Sequence, residues 1–273
     1  MEESNIQEIK YSDCYVAFLD VLGFKNFVFD KKEGKKKIET YFGLIQETIH
    51  NIGNIESKQE IRSIIISDSV ILSISLGEDK EKKIINLRKL CIAVAIIQFA
   101  LAQKDIWLRG AISAGEAYFD ANKHQVVGPA YTNAYLLEEK HAKYPRVIID
   151  SIIIEKLGQI YSQDLIDAIN EKKYSNWNSD ILFSWSDTPR YNTHFEQDMA
   201  LFIDYLSPMF DKDGINKSVL KHIKKNLYDR VEYYNKFRWI VDYLIVKCDK
   251  ITSGESGFSQ SDIDNLFKEL KRF

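Results

Sequence analysis

"YVAFLDVLGFKNFV", residues 15–28, is an apolar, β-prone run that ends on one carboxylate, Asp20, and then turns through Gly23 into Phe24. Tyr, Val, Phe and Leu in so short a stretch read as a strand. A carboxylate at the mouth of a core strand is costly to desolvate unless it is paired, hydrogen-bonded or bound to a cation. Working outward, Phe27, Ile38, Tyr41, Phe42, Ile45 and Ile49 have helical spacing over about 24–50. "IRSIIISDSVILSISL" (61–76) is β-rich on both sides of a polar centre, which predicts a hairpin with Asp68 at its tip. A helix over 81–103, a strand over 106–113, a second hairpin over 114–128 turning near Asn122, a helix over 130–142 and a strand over 146–150 follow.

That order predicts an α+β fold: a mainly antiparallel sheet with helices on one face and hairpin tips free on the other. After residue 150 the pattern changes. A short helix with Asp150 as cap candidate leads into an irregular, aromatic stretch over 171–200. Helical spacing returns over 214–248, and "SQSDIDNLFKELKRF" supplies a capped terminal helix. The division read from this is 1–155 for the α+β part and 156–273 for a mostly helical extension, with no Gly/Ser linker between them.

The 273 residues are 45% hydrophobic and carry a net charge of −3, so no global basic field argues for a nucleic-acid partner. The run "KKEGKKK" (31–37) reads as a solvated loop or helix start. The apolar stretch "LCIAVAIIQFALA" (90–102) is shorter than the roughly 20 residues that span a bilayer; it reads as a buried helix, without membrane insertion. The acidic, polar start of the chain is unlike a signal peptide. Cys14, Cys91 and Cys248 form no CxxC pair, as expected of reduced thiols in a cytoplasmic protein. The phosphate-binding GxxxxGK[ST], the dinucleotide GxGxxG and the zinc HExxH are all missing.

Taken singly, Asp20 reads as a cap of the helix starting at 22–24 and Asp68 as a turn residue. Taken together, they suggest more. If the first strand neighbours the 61–76 hairpin, both carboxylates reach one point. Two hard oxygen ligands with open positions suit Mg²⁺ or Mn²⁺ that also holds substrate phosphates. "GFKNF" beside Asp20 would begin a helix whose free N–H groups receive a triphosphate, with Gly23 allowing close approach.

"FLDVLGF" (18–24), "ISDSV" (66–70), "LRGAISAGEAY" (108–118) and "GPAYTNAYLLE" (128–138) resemble, in order and spacing, the motifs of class III nucleotidyl cyclase catalytic domains. More narrowly, "FLDVLGFK", "AYLLEEKHAKYPRVIID" (134–150) and "YYNKFRWIVDYL" (233–244) look like the bacterial pyrimidine cyclases of the Pycsar anti-phage systems. The resemblance covers about 14–150, and weakly extends to about 245. It implies a cyclase-type fold, a head-to-tail homodimer and two Mn²⁺ or Mg²⁺ ions per site. The implied reaction is 3′,5′-cyclisation of a nucleoside triphosphate, UTP or CTP, giving a messenger for a separate cyclic-nucleotide-activated effector. Carried over by position, Asp20, Asp68 and the Val21 carbonyl are the metal ligands, and Gly23, Phe24 and Lys25 form the phosphate-cradling turn.

Three departures from the family pattern stand out. Ile64 occupies the purine-reading position, where it makes neither purine-reading hydrogen bond. Thr132 takes the place of the transition-state asparagine, with Asn133 adjacent. Leu136 takes that of the transition-state arginine. Arg109, Lys140 and Arg146 are then the candidate cations, with Arg109 assigned to catalysis. A catalytically silent cyclase-like module, and a purine cyclase, are the rival readings.

Overall fold

The computed structural model describes residues 9–55, 61–159, 161–171, 180–183, 185, 201–210, 217–229, 231–251 and 260–273. Strand β1 (Ser12–Val21) lies mid-sheet and is buried on both faces from Cys14 to Leu19. Its alternation assigns two cores. Tyr15, Ala17, Leu19 and Val21 join the main core, whereas Cys14, Val16 and Phe18 join a smaller one on the opposite face. Each fully buried Val, Leu or Phe contributes roughly 1.5–3 kcal/mol, so register is strongly specified here; a one-residue slip would exchange the two sets.

The elements follow as α1 (Phe24–Phe29), α2 (Gly34–Ile55), the hairpin β2 (Arg62–Ile66) and β3 (Ser69–Ser75), then α3 (Lys80–Ala102). The second hairpin is β4 (Leu108–Asp120) with β5 (Gln125–Val127), followed by α4 (Pro129–His141) and β6 (Val147–Ile149). Beyond these come α5 (Ile152–Lys156), α6 (Ser162–Asn170), β7 (Leu182–Phe183), β8 (Phe202–Ile203), α7 (Lys217–Asp229), a 3-10 turn (Val231–Tyr233), α8 (Tyr234–Lys250) and α9 (Gln260–Leu270). The sheet runs β2-β3-β1-β4-β6-β8-β7, with β5 paired to β4. Its described pairs are antiparallel except β4 with β6.

The expected α+β architecture and helical C-terminal part are present. The helices do not share one face, however. Core residues of α2 and α3 pack on the Tyr15–Val21 side, while Ala130 and Ala134 of α4 cover Val16 and Phe18 on the other. An amphipathic pattern shows that a helix has an apolar face, not which side of the sheet receives it. The strand read over 106–113 is also longer, because β4 continues to Asp120 and forms the first arm of the second hairpin. By length and composition α3 could cross a membrane, but 67% of its most apolar window is buried inside the molecule.

Strands β7 and β8 extend the same sheet, and residues of α7, α8 and α9 enter the main core. Lys247 of α8 is buried and donates to the buried Asp204 beside β8, which also accepts from the Tyr243 hydroxyl. Most of the stretch expected to be irregular, 172–179, 184 and 186–200, lies outside the described residues.

Candidate active site

Asp20 is opposite Ser69 of β3 and Arg109 of β4. Asp68 occupies the two-residue turn between β2 and β3, in which Ser67 takes a left-handed backbone (φ 55°), as tight hairpins require. The register that sets Asp20 beside Ser69 leaves Asp68 just past it, and the Val21 N–H donates to the Asp68 carbonyl at 3.2 Å. The two residues are therefore neighbours at this end of the sheet, near enough for the charge of Asp68 to act on Asp20. Asp20's carboxyl is raised above the ordinary range, by burial first and then by the negative charge of Asp68; the Arg109 guanidinium partly offsets both.

Arg109 ties the cluster together. Its Nε and Nη2 each donate to Asp20 Oδ2 at 3.4 Å. Its Nε also lies 2.8 Å from Glu138 Oε1, an ion pair without the alignment of a hydrogen bond. Glu138 projects from α4 with its side chain only 4% exposed. Burial pushes its carboxyl up to about 7, with the charges of Asp20, Glu139 and Asp68 adding and Arg109 opposing. On a third side, Tyr41 of α2 is fully buried with its hydroxyl unbonded among the described residues. Its hydroxyl is raised by burial and by the fields of Asp68 and Asp20.

The sequence-expected residues divide. Gly23 adopts a left-handed backbone (φ 73°) ahead of α1, and a Cβ there would sit 2.5 Å from the Tyr233 hydroxyl oxygen. Gly23→Ala is expected to cost roughly 1–3 kcal/mol of unfolding free energy. Denaturant unfolding of the Gly23→Ala, Tyr233→Phe pair should recover the clash and leave the backbone strain. Phe24 turns into the core, its ring 5.8 Å from that of Tyr41, and Lys25 is exposed. Because α1 spans only six residues, the turn itself, rather than a long helix dipole, must supply any phosphate contact. Ile64 is 1% exposed, packed with Phe18 and Ile71 in the smaller core.

Thr132 is exposed and Asn133 half-buried on α4, each more than about 100° around the helix from Glu138. Arg146 is fully buried among the rings of Tyr144, Phe202 and Trp239, and Lys140 is exposed. Of the three candidate cations, Arg109 is the one in contact with Asp20. Sequence reading missed Glu138 and Tyr41 beside the aspartates and Tyr233 against the Gly23 turn. Glu138 left a signal, because it continues the inward stripe Ala130, Ala134, where a charge is out of place unless something meets it.

Two hard carboxylates, with the Val21 carbonyl next in the chain, fit a divalent ion that takes its remaining ligands from water and substrate phosphate. Among the described residues no group of three or more His, Cys, Asp or Glu side chains makes a ready cage. A cavity of about 170 Å³ opens beside the Gly23 turn, between Asn26, Tyr233 and Phe237. A wider one of about 700 Å³, lined by Ser12, Ser75 and Asn86, lies at the other end of β1, roughly 25 Å from Asp20.

No family model matches the chain, and no curated protein matches it. Solved structures with a similar fold include the adenylyl cyclase CyaB from P. aeruginosa, at 13% identity over 56% of this chain and 83% of that one, TM-score 0.42. A second is the catalytic core of a rhodopsin-guanylyl cyclase with converted specificity in complex with ATPalphaS, at 15% identity over 54% and 83%, TM-score 0.41. A third is a bacterial light-regulated adenylyl cyclase, at 14% identity over 79% and 57%, TM-score 0.42. Likeness this distant assigns neither family nor activity, so function has to be read from the chain's own carboxylates and the cations that face them.

Proposed function

We propose that this chain is a metal-dependent nucleotide cyclase that converts UTP or CTP to the 3′,5′-cyclic mononucleotide and pyrophosphate. The observation that carries the reading is that Asp20 and Asp68, 48 positions apart in sequence, are neighbours at one strand end beside a left-handed glycine turn. Divalent ions held there would lower the pKa of the ribose 3′-hydroxyl and neutralise the departing pyrophosphate.

The chain's own groups do the rest. Asp20 and Asp68 would hold the ions, and Arg109, paired with Glu138, fixes the orientation of Asp20. The turn at Gly23 brings backbone N–H groups close to the polyphosphate. Positioning and charge stabilisation supply most of the rate. The position where purine cyclases carry a polar side chain is Ile64, which is buried in the smaller core and offers a base no hydrogen bond; this supports a pyrimidine. Exposed Ile66 and Tyr135 flank this edge and support a second copy covering it as a homodimer. The messenger would act on a separate effector in anti-phage defence.

The second reading, a silent nucleotide-binding module, is favoured by Thr132 and Leu136 at the positions of the family's asparagine and arginine. One experiment separates the readings: purified chain with Mn²⁺ and each of the four nucleoside triphosphates, products resolved by mass spectrometry. Cyclic UMP or cyclic CMP that disappears on chelation is expected. Cyclic AMP or cyclic GMP would make the chain a purine cyclase, and no cyclic product would leave the silent module.

A further inference from the structure

The segment "YYNKF" (233–237) comes from the C-terminal helices, yet it lies against the Gly23 turn and Trp107, just ahead of β4. Tyr233 accepts from the Asn26 side-chain amide and rests against Gly23. Phe237 stands edge-on to Trp107 at 5.2 Å, and the Trp107 carbonyl accepts from Leu22 N–H. Between these anchors Lys236 reaches the far end of α4, where its Nζ donates to the Lys143 carbonyl at 3.3 Å. The residue is half-buried, and its pKa is lowered by burial first and then by the positive charge of Arg109.

Two cations brought together without a shared anion repel each other. Arg109 is already matched by Asp20 and Glu138, whereas among the described residues Lys236 donates to a neutral carbonyl. The arrangement is favourable once an anion with several oxygens lies between Lys236 and the aspartate-bound ions. A polyphosphate is such an anion.

We infer that Lys236 is a substrate-binding cation, contacting the triphosphate from the same chain that supplies Asp20 and Asp68, in place of the arginine absent at Leu136. The inference rests on the cyclase reading. On this assignment the C-terminal helices carry the missing charge into the site, with Tyr233 and Phe237 as the positioning residues that hold it.

Steady-state kinetics with Mn²⁺ and the accepted nucleotide test this on Lys236→Met and Lys236→Arg. Lys236→Met should lose about 10- to 100-fold in kcat/KM, with an unchanged melting temperature, and Lys236→Arg should recover most of it. Pyrophosphate, as product inhibitor, should weaken by a similar factor against Lys236→Met. Mixing Lys236→Met with Asp68→Asn chains should restore no activity, because both groups serve one site in one chain. Equal kinetics of wild type and Lys236→Met, or restored activity in the mixture, would overturn the assignment and leave the cyclase reading standing. A wild-type chain that forms no cyclic product overturns both.

Discussion

Asp68→Asn is expected to abolish cyclic nucleotide formation, by on the order of 10³-fold or more, while the protein stays folded. Asn is as well suited to a tight turn as Asp, and the bond from the Val21 N–H reaches the backbone carbonyl of residue 68, which the substitution leaves in place. What is lost, on the proposed function, is one of two charged oxygen ligands. Without metal the variant should be no less stable than wild type, because a negative charge that disfavours the ionised Asp20 has gone. The measurement is paired. Wild type should gain thermal stability with Mn²⁺, by about 2.7 kcal/mol at a hundredfold excess over the dissociation constant. Asp68→Asn should gain little. Full turnover in the variant would remove Asp68 from the mechanism.

Arg109→Met should have the largest effect on stability. It strips Asp20 of two contacts and leaves the Glu138 carboxyl buried without its counter-charge. Breaking a buried pair costs roughly 3–5 kcal/mol as a rule. Arg109 is 28% exposed, so solvent screening lowers the figure to roughly 2–4 kcal/mol at pH 8. The pH dependence follows from Glu138, whose carboxyl is raised from 4.5 to about 7 in the folded chain. The folded state then binds more protons than the unfolded state between those values. Its contribution is fully present below about 4.5 and is lost as pH rises through about 7.

Two results should follow in urea unfolding at pH 5.5 and pH 8. Metal-free wild type should be less stable at the higher pH on account of this group. The penalty of Arg109→Met should be smaller at the lower pH, where Glu138 is already neutral and needs the guanidinium less. Arg109→Met combined with Glu138→Gln should recover much of the loss at pH 8, because the two positions are coupled. An equal penalty at both pH values and no recovery in the double variant would show that Glu138 is not charged against Arg109.

Elements with local causes were legible in the residues alone. A short, unbroken β-prone run at 14–19 made β1, and β-rich runs around "SDS" made the 61–76 hairpin with Asp68 in its turn. Helical spacing made α3 and α4 to within a residue, whereas the stretch read over about 24–50 is α1 and α2, and that over 214–248 is α7 and α8 with a 3-10 turn before α8. Asp20 was legible too, because a charge that ends a buried strand is anomalous on desolvation grounds alone. Which groups meet, by contrast, was settled by tertiary packing. Phe24 and Ile64 stand in motif positions, yet the core claimed their side chains, because burying a large apolar group outweighs any weak contact it could offer a polar ligand. Glu138 reaches Arg109 because α4 crosses the face of the sheet opposite α2 and α3, a choice that two faces of similar apolarity leave open in the sequence. Tyr233 meets Asn26 from 207 positions away, and Lys236 meets the Lys143 carbonyl from 93 positions away. Their own neighbourhood is an ordinary amphipathic helix start, and partners so distant leave no local periodicity to read.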